Sequence, residues 1–157
     1  MKTILIDGHN LIPKIPGLRL DDLDDEIKLL GILSDYCRFS QNRIELFFDG
    51  APPGYAQRTN RGSIHVHHVR QGLTADDAII AFLHSLGKNA HNILVVSSDR
   101  RVQVEVKALH ASVVSSEQFS MEIQRTLSTP KAVQEQREKI LTESEIEEWE
   151  KLFKSRK

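Results

Sequence analysis

Only one cysteine, Cys37, occurs in the 157 residues, which excludes an intrachain disulfide and a cysteine-based zinc site. It lies in an apolar helical stretch and reads as a small core residue. No apolar run approaches the roughly 18 residues of a membrane span, so a cytoplasmic protein with no membrane partner is expected. Internal repeats and low-complexity stretches are missing as well. An excess of charge is also lacking: 21 basic residues stand against 22 acidic ones, for a formal net charge of −1. Bulk electrostatics therefore do not announce a nucleic-acid partner. Locally it is acid that is absent. From Arg58 through Arg70 the chain has three arginines and three histidines with no carboxylate, a basic patch able to face a polyanion.

What is present alternates between strand and helix patterns, which predicts a mostly parallel sheet covered on both faces. Apolar runs at Thr3–Ile6, Ile44–Phe48 and Asn92–Val96 read as strands, Ser63–Val69 as a half-wet strand, and Ala111–Val114 as a short one. Helices are predicted over Asp22–Phe39, from Thr74 to about Leu86, over Arg100–Leu109, and from Ser115 to about Leu127. The Asp22–Phe39 helix carries an apolar stripe through Leu23, Ile27, Leu30, Leu33 and Cys37. Leu11–Leu20 and Gly50–Gly62 read as loops. After Pro130 the chain is strongly charged, and Thr142–Phe153 reads as a last helix with Trp149, Leu152 and Phe153 on one face. The expected division is a domain over 1–128 and a charged helical extension over 129–157.

The acids fall at informative places. Asp7, Asp49 and Asp99 follow three strand-like runs, and ligands of open α/β sheets sit outside the carboxyl ends of the strands. Asp76 continues the apolar stripe Leu86–Leu83–Ile79 to the start of its helix, where bare burial of a carboxylate is costly. Each acid also has a plain structural role open to it. Asp7 and Asp49 precede glycines and suit turns; Asp99 suits an N-cap; Asp76 suits a helix start; Asp77 pairs with Thr74 in a cap. Gathered at one end of a sheet they repel unless a cation intervenes. Hard oxygen ligands suit Mg²⁺ or Mn²⁺, whose natural chemistry here is phosphodiester hydrolysis. His65, His67 and His68 lack a carboxylate nearby in sequence and read as surface or RNA-stacking groups, while His9 is placed to touch substrate.

DGHN at Asp7–Asn10, FDG at Phe48–Gly50, TADDAI at Thr74–Ile79 and SSD at Ser97–Asp99, in that order, resemble the NYN domain family of the PIN-like nucleases, in particular its YacP-like branch. The resemblance runs from Lys2 to about Phe119. It implies a three-layer, Rossmann-like PIN/NYN α/β fold and a metal-dependent ribonuclease. In that likeness Asp7, Asp76 and Asp99 hold the metal, and Asn10 and Asp77 join the catalytic set. Asp49 and Ser97 support it from behind. His9 stands where YacP-like proteins often carry tyrosine.

The expected function is therefore an endoribonuclease using Mg²⁺ or Mn²⁺. Arg58, Arg61, Arg70, Arg100 and Arg101 would contact RNA, with ribosome-associated mRNA one form of that substrate. The alternative is a non-catalytic RNA- or ribosome-binding module on the same fold. A phosphatase of the haloacid dehalogenase type would need a second aspartate two residues after Asp7, where this chain has His9. No sequence feature sets an oligomeric state.

Overall fold

The computed structural model describes residues 2–19, 24–51, 58–70 and 72–129. Strand β1 (Thr3–Asp7) occupies the middle of the sheet with both faces covered, so Ile4, Leu5 and Ile6 are all at most 1% exposed. That is why its pattern is a continuous apolar run rather than an alternation. A single turn, α1 (Gly8–Leu11), follows, and then a 3₁₀ turn (Ile12–Lys14) within the stretch Leu11–Leu20 expected as a loop. Then come α2 (Asp25–Ser40), β2 (Arg43–Ala51), β3 (Arg58–Arg61), β4 (Ile64–Arg70) and α3 (Ala75–Leu86). The chain continues through β5 (Ile93–Val96), α4 (Arg100–Ala108), β6 (Ser112–Val114) and α5 (Ser116–Leu127).

The sheet order is β3-β4-β2-β1-β5-β6. Every neighbouring pair is parallel except β3 with β4. The chain steps outward from β1 to β2 and β4, then returns to the far side of β1 as β5. The order thus reverses between β1 and β5, and crevices at such points receive ligands. Because β1, β2 and β5 are parallel, Asp7, Asp49 and Asp99 come to the same end of the sheet, as expected.

Successive strand residues face opposite layers. Ile4, Ile6, Leu46 and Phe48 pack with Leu29, Leu33, Tyr36, Phe119 and Ile123 of α2 and α5. Leu5, Phe47 and Val95 pack with Ile79, Leu83, Val102 and Val106 of α3 and α4. Three layers result, α2/α5, sheet and α3/α4.

Two sequence expectations are corrected here. The buried face of α2 runs through Leu29, Leu33, Tyr36 and Cys37, with Ile27 62% exposed. Leu33 and Cys37 of the expected stripe are buried, Leu29 and Tyr36 join them at spacings of four and three in place of Ile27 and Leu30, and Leu23 lies outside the described residues. The second correction is β3, expected as loop. Arg58–Arg61 pairs antiparallel with β4, Arg58 opposite His67 and Arg61 opposite Ile64. An edge strand of four polar residues has no face to bury and so no hydrophobic period to read. The expected extension beyond Thr129, including the helix Thr142–Phe153, lies outside the described residues.

Candidate active site

Asp7 ends β1 and caps α1, its Oδ1 accepting the Asn10 amide N–H at 3.3 Å. Its side chain shares the parity of Leu5 and so turns toward the α3 layer. Thr74 caps α3 by accepting the Asp77 amide N–H on its hydroxyl at 3.0 Å, and this places Asp76 in the first turn facing Asp7. Asp7 is only 9% exposed. Burial, and next the Asp76 carboxylate, push the Asp7 carboxyl up to about 7. Asp76 is raised as well, by burial first and by Asp99 and Asp77 behind it, against the lowering pull of its contact with Asp7 and of Arg101. Each carboxyl thus makes ionisation of the other less favourable, as like charges do in a shielded site.

Asp99 and Asp77 stand further out. Asp99 is exposed and caps α4, accepting the Arg101 amide N–H at 2.9 Å; Ser97 steadies it by accepting the Asp99 amide N–H at 3.2 Å. Asp77 faces Arg101, whose guanidinium is 3.7 Å away. Both groups are exposed, so that pair contributes little to stability. The capping roles open to Asp99 and Thr74 on sequence grounds are thus real, and they are also what sets the acids around the crevice.

Asn10 ties three elements together. Its Oδ1 accepts the Ser98 amide N–H at 3.4 Å and the Ser116 hydroxyl at 2.5 Å. Ser98 in turn accepts the Ser116 amide N–H at 3.0 Å and donates its hydroxyl to Glu117 at 2.7 Å, and Lys14 lies 3.0 Å from Glu117. The Ser98 hydroxyl is the first reason the Glu117 carboxyl lies well below its usual range. Ser116, Glu117 and Lys14 were not singled out in the sequence; the capping box of Ser115 and Gln118 marks the start of α5, but nothing local says that this helix start meets Asn10.

His9 is engaged on both ring nitrogens, Nδ1 lying 2.8 Å from Asp49 Oδ1 and Nε2 2.9 Å from Glu26 Oε1, with its side chain still 31% exposed. Burial opposes charge on this imidazole, but the two hydrogen bonds overcome it and raise the pKa. His65 and His67, partly exposed, have a carboxylate partner that the sequence did not show. Each bonds one oxygen of the buried Glu45, at 2.9 and 2.5 Å, and His67 stacks on Phe47 with centroids 4.5 Å apart. Register pairs Glu45 with His65 across β2 and β4, a proximity invisible at a separation of 20 residues.

Arg61, Arg70, Arg100 and Arg101 are exposed. Arg100 and Arg101 open α4 beside Asp99, Arg70 ends β4, and Arg58 and Arg61 bound the edge strand. Among the described residues no three of His, Cys, Asp and Glu form a ready-made cage for an ion; the compact unit is the Asp7–Asp76 pair. Also among the described residues, no helix is long and apolar enough to cross a membrane.

The residue pattern of the YacP-like NYN domain matches residues 4–154 of this chain, a span that takes in the charged C-terminal residues. The fold is similar to a crystal structure of Rae1 (YacP) from Bacillus subtilis, with a TM-score of 0.71 and 23% identity over 99% of this chain and 92% of that one. A tryptophan-to-leucine variant of the same protein gives 0.68 and 23%, covering 91% and 86%. No curated protein matches the chain.

Proposed function

The chain belongs to the YacP-like NYN domain family, a nuclease-type and RNA-related family, and from that premise we propose that it is a divalent-metal-dependent endoribonuclease. The observation that carries the reading is the buried Asp7 carboxyl held against Asp76 at the point where the strand order reverses. Two facing carboxylates in a shielded crevice call for a proton or a cation between them. Their donor set is oxygen alone, which fits Mg²⁺ or Mn²⁺. Mg²⁺ needs only one or two protein carboxylates, with water and substrate phosphate completing its shell.

Asp7 and Asp76 would hold the ion, with Asp99 and Asp77 adding negative potential around it. When bound, the ion supplies Lewis-acid stabilisation of a phosphate and makes a coordinated water more acidic. Asn10 keeps the ends of β1 and β5 and the start of α5 in register, and Ser97 steadies the turn of Asp99. Arg58, Arg61, Arg70, Arg100 and Arg101 would take RNA phosphates, contacts that position a strand without reading its sequence. Hydrolysis of this kind leaves 5′-phosphate and 3′-hydroxyl ends. Cytoplasmic RNA, ribosome-associated mRNA included, is the substrate class.

The test is cleavage of end-labelled RNAs in Mg²⁺ or Mn²⁺ by the wild type, the wild type with EDTA, and Asp7→Asn. Cleavage by the first alone is the expected result. Equal cleavage by Asp7→Asn would overturn the site, and binding without any cleavage would leave the RNA-binding module.

A further inference from the structure

Asp49 shares the carboxyl end of the sheet with Asp7 and bears on it by its charge, and it is already engaged. Asp49 Oδ1 lies 2.8 Å from Nδ1 of His9, and Glu26 Oε1 lies 2.9 Å from Nε2. His9 is thus held between the two carboxylates through both ring nitrogens. The three residues come from different elements: His9 from α1, Glu26 from the first turn of α2, and Asp49 from the end of β2. The ring is also located by Phe48, with centroids 5.2 Å apart. The chain reaches His9 through Gly8, where a Cβ would lie 2.2 Å from the Phe48 ring. The turn is therefore held from both sides, and His9 has a defined place beside Asp7.

We infer that His9 is a positioning residue: braced by Glu26 on one ring nitrogen, it holds Asp49 away from the cation and leaves Asp7 and Asp76 to receive it. This rests on the metal-dependent reading above. The physical reason is charge. An additional free carboxylate beside Asp7 and Asp76 would bind the ion more tightly, fill coordination positions that water and phosphate need, and repel the incoming phosphate.

The experiment is calorimetric titration of the full chain with Mn²⁺, paired with RNA cleavage kinetics and with circular dichroism to verify folding. Asp76→Asn should lose Mn²⁺ binding. Asp49→Asn should keep an affinity within about twofold of wild type, since Asp49 is not a ligand while His9 holds it. His9→Ala should bind Mn²⁺ about tenfold more tightly while kcat falls and KM for RNA changes little, a shift of the size that ligand-orienting partners produce. Adding Asp49→Asn to His9→Ala should return the affinity toward wild type.

The inference is overturned, with the metal reading intact, if Asp49→Asn loses Mn²⁺ as Asp76→Asn does. It is equally overturned if His9→Ala leaves the affinity unchanged or the double variant keeps the tighter binding. Should His9→Ala fail to fold, Asp49→Asn alone decides. A wild type that binds no Mn²⁺ removes the metal reading and this inference together.

Discussion

At the scale of single residues, charge governs the site. Asp76→Asn removes a like charge from the buried Asp7 without changing shape, so the metal-free protein should melt at a higher temperature while RNA cleavage drops on the order of 100-fold or more. Lowered stability together with full cleavage would contradict this. Glu45 shows the opposite electrostatics. Burial alone would raise its carboxyl, but hydrogen bonds from His67 and His65 outweigh burial and hold it below its ordinary 4.5. A folded-state pKa below the unfolded one gives stability that is full above the unfolded value and is lost as pH falls through the folded value. Glu45→Gln should therefore cost about 1–3 kcal/mol near neutrality and flatten the acid limb of stability against pH. Urea unfolding at a series of pH values checks both. The meeting of Asp7 and Asp76 was legible because each interrupts an apolar pattern. The partners of His9 and Glu45 were not, because they stand 17 to 40 residues away.

At the scale of elements, caps and close approaches place the chemistry. Thr74→Ala removes the hydroxyl that accepts the Asp77 N–H and should cost about 1 kcal/mol. It should lower cleavage more than stability, since the same turn aims Asp76. Comparing melting temperature with kcat separates the two effects. Gly8→Ala would drive a methyl into the ring of Phe48, which is 1% exposed, and overpacking of this kind costs about 1–3 kcal/mol. Phe48→Leu in the same chain should recover part of the loss. The starts of α3 and α5 were readable because Thr74 and Ser115 are strong start signals, and Gly87 marked where α3 stops. The start of α2 was read too early: Asp24, its N-cap residue, makes no side-chain cap, and several acids in a row each resemble a helix start.

For the whole molecule, metal and RNA should act as separable ligands. Saturating Mn²⁺, at about 100 times its Kd, should stabilise the fold by about 2.7 kcal/mol through binding to the native state alone. Asp76→Asn should abolish that shift. Arg61→Ala and Arg70→Ala remove no carboxylate and should leave the Mn²⁺ shift intact. They should weaken RNA binding across sequences and reduce the slope of log affinity against log salt by roughly one each, as lost phosphate contacts do. Melting curves and binding at two salt concentrations distinguish these outcomes.

The layered α/β plan, the parallel sheet and the set of acids at its carboxyl ends were determined by local information: apolar runs long enough for buried strands, amphipathic helices between them, and acids at the boundaries. Tertiary structure alone decided the rest. Strand order put β1 beside β5, so that Asn10 could meet Ser98 and Ser116. Register put Glu45 beside His65. The packing of α2 put Glu26 on His9, and the polar edge strand β3 formed because β4 offered it a backbone partner. Hydrophobic periodicity records which face of an element is buried. It is silent on which distant element supplies a hydrogen-bond partner, because that depends on how the layers are stacked.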